Sequence, residues 1–468
     1  MARKSHYRFS LVLGAVVAGT ALAAQSAEPP YEVSYAAGPS DASGRFLGGT
    51  ELRVLTAHAG RLYAGNGYWE DRPGPEGPQG AAILVLDSPG ARWRVEHVFD
   101  ERMPAGRARD FAVSALNDIG FATDGNGARL PRPVTLLLAS TWDLTGATRV
   151  FSRPEASGSW TAATLAEDRP APDFLPQIRS FAAHHDRQTG VDRVFAGNSP
   201  RGVFSGIYEP RVAGAIRWDA APELAIGQIS TDGFSGLKDR LRVSSFAECN
   251  GNLYTAVGQQ IYQRTDGAAP TWRLVYTNPR PGHSESGLRG LTAIPNPAGP
   301  GEVLLAAVEG DAARILRFDP ATGSETPELD LRDFLGAAWR TQIGYVIAAY
   351  NDMARVRDAT GDVLLIGLEA FIPPRAPTPE GHMIVDTGHG RLEGGGWYLV
   401  RHRDGRYGLR QVASPGGRPL VAIRAIAASP FASDGNALYF AGYDANKAPV
   451  HNTAWIMRAD KSSLSGVP

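Results

Sequence analysis

The sequence predicts an all-β fold: a seven-bladed β-propeller of four-stranded blades, its ring closed by an N-terminal strand. Three observations point there. One unit recurs about seven times along the chain, at a spacing typical of repeat architectures. The 54 glycines and 34 prolines among 468 residues suit many short strands joined by tight turns. The last unit is one strand short, and Tyr31-Glu32-Val33-Ser34-Tyr35 alternates like the strand it lacks.

Each unit opens with a short apolar strand, turns, and continues into a second strand ending in small residues. Residues 54–57 with 62–65 form the first clear copy, 245–247 with 253–258 a middle one, and 425–428 with 438–442 the last. Units begin near Arg53, Arg109, Arg179, Ser244, Arg289, Tyr345 and Arg424. A third strand is clear at residues 82–86, 315–318 and 397–400, and a fourth often starts at tryptophan, as at Trp93, Trp160 and Trp272. Residues 31–35 either complete the final unit and cover its open edge, or form a disordered tail. No linker interrupts the repeats, so residues 28–468 read as one domain.

The N-terminus reads as a secretory signal over residues 1–27. Arg3, Lys4 and Arg8 precede an apolar run, and Ala21-Leu22-Ala23 offers a small-x-small cleavage site. The run is short for a membrane anchor, which needs about 20 apolar residues. The expected product is periplasmic or secreted, a monomer, with no membrane insertion after cleavage. Cys249 is the one cysteine, so no internal disulfide forms; its apolar neighbours suggest a small buried hydrophobe. A formal net charge of −1 gives no electrostatic case for nucleic acid.

Five units open with arginine: Arg53, Arg109, Arg179, Arg289 and Arg424. Equivalent positions around one axis would gather these guanidiniums near one channel mouth. Each arginine could pair with a carboxylate at the end of a second strand, the candidates being Asp143, Glu309, Glu369 and Asp444. Alternatively, some bind an anionic ligand, because the planar fork suits carboxylate, sulfate or phosphate. Loops on the same face carry aromatic, amide and acidic residues suited to a saccharide, among them Asn66, Glu70, Tyr208, Tyr443 and Asp444. His283 and His451 sit in or beside such loops as acid/base candidates. His382, Asp386 and His389 share a loop and have metal-ligand types, without a recognised metal spacing, so no metal site is assigned. His58 and His184 occupy inner hairpin turns and read as structural. No nucleotide-binding loop, hydrolase elbow or calcium loop is present, and no cofactor is named by the sequence.

Residues 178–181 with 202–208, and 444–449 with 451–455, resemble a group of exported bacterial β-propeller proteins. The resemblance spans most of the mature chain and implies an exported propeller, with no activity attached. Two functions fit the residues. One is an enzyme acting on an acidic carbohydrate or related carboxylated molecule. In a lyase version, arginine neutralises the carboxylate, His283 or His451 is the base, and Tyr208 or Tyr443 the acid. The other is a non-catalytic propeller that binds a ligand or protein in the periplasm.

Overall fold

The computed structural model describes residues 31–68, 79–104, 106–167, 176–229, 242–282, 287–358, 361–387, 390–415, 417–435, 437–443 and 452–460. They form an all-β propeller of seven blades. The inner strands are Glu51–His58, Asp110–Thr123, Gln177–Asp186, Val243–Cys249, Leu288–Pro295, the pair Tyr345–Ala348 and Ala354–Asp358, and Ala422–Ala428. Each blade continues outward by antiparallel neighbours, as in Val243–Cys249, Asn252–Val257, Gln260–Thr265 and Thr271–Thr277. Blades one and two also meet along the backbone, where Gly67 pairs with Ala112 and Tyr68 N–H donates to the Phe111 carbonyl at 2.9 Å. A short helix, Leu331–Trp339, follows blade five and buries Leu331, Leu335 and Trp339. Asp330 caps it by accepting from the backbone N–H groups of Arg332 and Asp333. No helix among the described residues is long and apolar enough to cross a membrane.

The ring closes as the sequence predicts. Glu32–Ala36 pairs antiparallel with Ala454–Asp460, Glu32 opposite Arg458, and becomes the outer strand of blade seven. Ala422–Ala428 in turn contacts Glu51–His58 of blade one. Tyr35 is buried and donates its hydroxyl to the Gly48 carbonyl at 2.8 Å, which anchors the closing strand beside blade one.

Second strands end in small residues because the next blade leaves no room. A Cβ on Gly65 would lie 2.6 Å from Val113 of blade two, and one on Gly197 2.6 Å from Val243 of blade four. Cys249 is fully buried against Tyr254 and Leu288, and burial pushes its thiol up to about 12. It fills core space as a small hydrophobe.

Charged clamps also join blades. His58 of blade one bonds Asp118 at 2.6 Å and Glu155 at 2.8 Å, both in blade two. His184, at the equivalent place in blade three, bonds Glu248 and, at 2.9 Å, Asp266 of blade four. Burial lowers both imidazoles, but the paired carboxylates outweigh it and leave both raised. Beside His184 lies Arg264, whose side chain is fully buried. It donates to Asp186 at 2.9 Å, Glu223 at 2.6 Å and Asp266 at 2.7 Å. The histidines read as structural at these turns therefore do hold blades together.

Candidate functional site

The inner strands do not run straight past the axis. In blades one, three, four and seven the register slips by one residue, at Arg53, Arg179, Ser244 and Arg424 respectively. A bulge leaves one residue unpaired and re-aims its side chain. That is why arginines at these positions reach the centre of the ring. Blade five slips at Gly290-Leu291, just after Arg289. Gly290 has φ 59°, and a Cβ there would lie 2.4 Å from Ala349, so the bend and the close approach both call for glycine.

Blade six departs furthest. Its inner strand breaks after Ala348 and resumes at Ala354, both halves pairing with Gly361–Ile372. Residues 349–353 form a wedge across the channel. Ala349 enters the wedge at φ 51°, a left-handed conformation unfavourable for alanine. Asn351 fastens the wedge, its Nδ2 donating to the Arg53 carbonyl at 2.5 Å and the Arg424 carbonyl at 3.4 Å. Arg289 Nη1 donates to the Tyr350 carbonyl at 2.8 Å.

Tyr350 thereby becomes the centre of the site. The guanidinium carbons of Arg424, Arg289, Arg53 and Arg179 lie 4.1, 4.7, 5.3 and 5.3 Å from its ring centroid. Arg53 Nη2 donates to the phenol oxygen at 2.5 Å. Burial raises the phenol, but Arg53, Arg179 and Arg424 outweigh it and bring it down to about 8.

Three of these arginines have carboxylates. Arg53 Nε lies 3.4 Å from Glu51, Arg289 pairs with Glu309, and Arg424 Nη1 lies 2.6 Å from Glu369. Glu309 is lowered: burial raises it, and Arg289, Arg242 and Tyr345 pull it further down. Arg179 differs. It is 5% exposed, has no carboxylate within ion-pair distance among the described residues, and its Nη2 lacks a hydrogen-bond partner. Burial, with Arg289, Arg242 and Arg53 adding repulsion, lowers it to about 9 although Tyr350 opposes this. A guanidinium still keeps its proton at neutral pH, so the strain persists as a demand for negative charge.

A cavity of about 200 Å³ opens on the hairpin side of this cluster, lined in part by Arg179, Asn117, Ser180, Asn351 and Asp352. Asp352 is exposed at this cavity, and desolvation of its carboxylate raises it to about 6.

The sequence-predicted residues divide as follows. Arg53, Arg179, Arg289 and Arg424 converge; Arg109 does not. Blade two slips three times, at Phe111, at Ser114 and between Phe121 and Thr123, and Ser114 occupies the position equivalent to Arg53. The expectation that Arg109 joins the others is therefore corrected. It pairs with Glu101, with Asp110 at 3.1 Å and with Asp143 at 3.6 Å. Tyr443 does join the cluster, 4.8 Å from the Arg424 guanidinium, and donates to Glu369 at 2.6 Å. Tyr208 lies on an outer strand of blade three, stacked 5.5 Å from Phe121 of blade two, apart from the cluster. His283, His451, Asp444, Glu70 and His389 lie outside the described residues, as does the signal segment. His382 bonds Glu393 at 3.0 Å and stacks on Trp397, and the described residues hold no cluster of metal-ligating side chains. Glu51 and Tyr350 are the central residues that sequence reasoning missed. Tyr350 follows a four-residue strand, with no motif to mark it.

No protein-family model matches the chain, and no curated protein sequence matches it. Among solved structures it is similar to a protein from Lactobacillus plantarum, at 12% identity and TM-score 0.44 over 86% of this chain and 96% of that one. It is also similar to the Dos1 propeller, at 11% identity and TM-score 0.39 over 92% and 81%. A third similar structure is the sialidase of Trypanosoma rangeli in complex with the inhibitor DANA, at 10% identity and TM-score 0.37 over 93% and 59%.

Proposed function

We propose that this chain is an exported propeller that binds a carboxylate-bearing small molecule, an acidic saccharide by preference, at the arginine cluster. One observation supports this above the rest: Arg179 is buried and, among the described residues, lacks a carboxylate such as Arg53, Arg289 and Arg424 each have. A buried cation without a partner is strongly unfavourable, and a ligand carboxylate would supply the missing charge with the geometry a guanidinium prefers. The enzyme reading builds on the same contact. Neutralising a uronate carboxylate lowers the barrier to losing the neighbouring proton, and His283 and His451 remain its base candidates. Tyr443 is committed to Glu369 in the structure and would have to release that bond to act as an acid.

The test is thermal unfolding of residues 28–468 with D-glucuronate and with D-glucose, for the wild type and Arg179→Ala. Glucuronate should stabilise the wild type alone, by about 2.7 kcal/mol at a hundredfold excess over Kd. Equal shifts with glucose, or a shift retained by Arg179→Ala, would remove the proposal.

A further inference from the structure

Tyr350 stands where a ligand carboxylate would have to act, and it already has an acidic proton to give up. Four guanidiniums from blades one, three, five and seven face its ring. Arg53, Arg289 and Arg424 each have a carboxylate, in Glu51, Glu309 and Glu369. Arg179 is the cation left over, and Arg242 adds repulsion to it.

The other groups around the ring are committed. Tyr345 donates to Glu309 at 2.5 Å and Tyr443 to Glu369 at 2.6 Å. A hydrogen bond to a carboxylate holds a phenol's proton in place. Asp352 lines the hairpin-side cavity and pairs with none of the arginines. The Tyr350 hydroxyl has no carboxylate to donate to among the described residues, and it accepts from Arg53. The wedge that carries it is fastened at Asn351 and at the Tyr350 carbonyl. Its charge can change while its position is held.

We propose that one negative charge at this site is carried alternately by the Tyr350 phenolate and by a bound carboxylate, so that ligand binding returns a proton to Tyr350. This rests on the carboxylate-binding reading above. The proton comes from solvent and goes to the phenol oxygen; no other bond forms or breaks. The phenol sits at about 8. Below that value Tyr350 is neutral and the spare charge of Arg179 is open to a ligand. Above it the phenolate supplies the charge, and affinity for a monoanion falls about tenfold per pH unit.

The experiment is calorimetric titration of the wild type and Tyr350→Phe with D-glucuronate at about pH 7 and about pH 9, in buffers of different ionisation enthalpy. Wild type should bind about tenfold more weakly at the higher pH and take up a proton there. Tyr350→Phe should lose most of that difference; a difference as large as in the wild type would assign it to Arg179, whose guanidinium sits at about 9, and overturn the exchange. Wild-type affinity that is the same at both, without proton uptake, overturns the charge exchange and leaves carboxylate binding standing. Absence of binding at either pH overturns both. If Tyr350→Phe does not fold, the wild type is titrated by tyrosinate absorbance with and without glucuronate. One tyrosine should ionise ahead of the rest, and later when glucuronate is present; no early tyrosine, or one indifferent to glucuronate, overturns the exchange.

Discussion

Two buried arginines of this propeller live under opposite conditions. Arg264, between blades three and four, donates to Asp186, Glu223 and Asp266. Arg179, at the axis, faces other guanidiniums and one phenol. Both are buried, so burial does not separate a structural cation from a binding one. What separates them is whether the protein itself completes the pairing. Burial lowers the Arg264 guanidinium, but Glu223 and Asp186 more than restore it, and it ends above its ordinary value. Arg179 ends below its own.

The sharpest way to break this contrast is at Arg264. Arg264→Met leaves three buried carboxylates facing an apolar chain and should destabilise the protein by about 3–5 kcal/mol in denaturant unfolding. A loss below about 1 kcal/mol would mean the network relaxes around the gap, and the two arginines would no longer be opposites. Arg179→Met should do the reverse. Without ligand, the variant should gain on the order of 1 kcal/mol, because a strained charge is removed. It should also lose the response to glucuronate. A large loss of stability in this variant would show that Arg179 is structural.

The smallest effect concerns the clamp beside Arg264. The raised His184 and His58 contribute fully below about pH 6.5, and that contribution fades as pH rises through their folded values. Asp266 and Glu155 are lowered, so their share fades in acid instead. Melting temperature should therefore fall slightly from about pH 6 to about pH 8, and His184→Gln should flatten part of that slope. The half-exposed Glu248 limits the effect to below about 1 kcal/mol. A slope unchanged by His184→Gln would show that the clamp does not titrate in this range.

The sequence made some of this readable and hid the rest for identifiable reasons. Blade boundaries were legible because inner and second strands repeat with the same small-residue ending, which blade packing enforces at Gly65 and Gly197. The closing strand was legible because its alternation has no partner nearby in the chain. Arg109 misled because an opening arginine looks the same whether or not it occupies a bulge, and blade two bulges five residues later, at Ser114. The carboxylates Glu309 and Glu369 were found by their place at strand ends. Glu51 was not, because it lies two residues before Arg53 on the same strand. Tyr350 had no signal at all: its role comes from a broken strand, and a break leaves no periodicity to read.

The closing strand also sets an order of events as the chain folds. Glu32 meets Arg458 across 426 residues. Until Ala454–Asp460 exists as a strand, Glu32–Ala36 has nothing to pair with, and until the two pair the outer edge of blade seven is unguarded. Contacts this distant along the chain slow folding, because the loop must be ordered before they form. Open edges invite pairing with another molecule during that interval. Sealing the ring is thus the step at which a folding molecule competes with its neighbours, and the yield of folded protein should fall with concentration most steeply when Glu32–Ala36 is weakened.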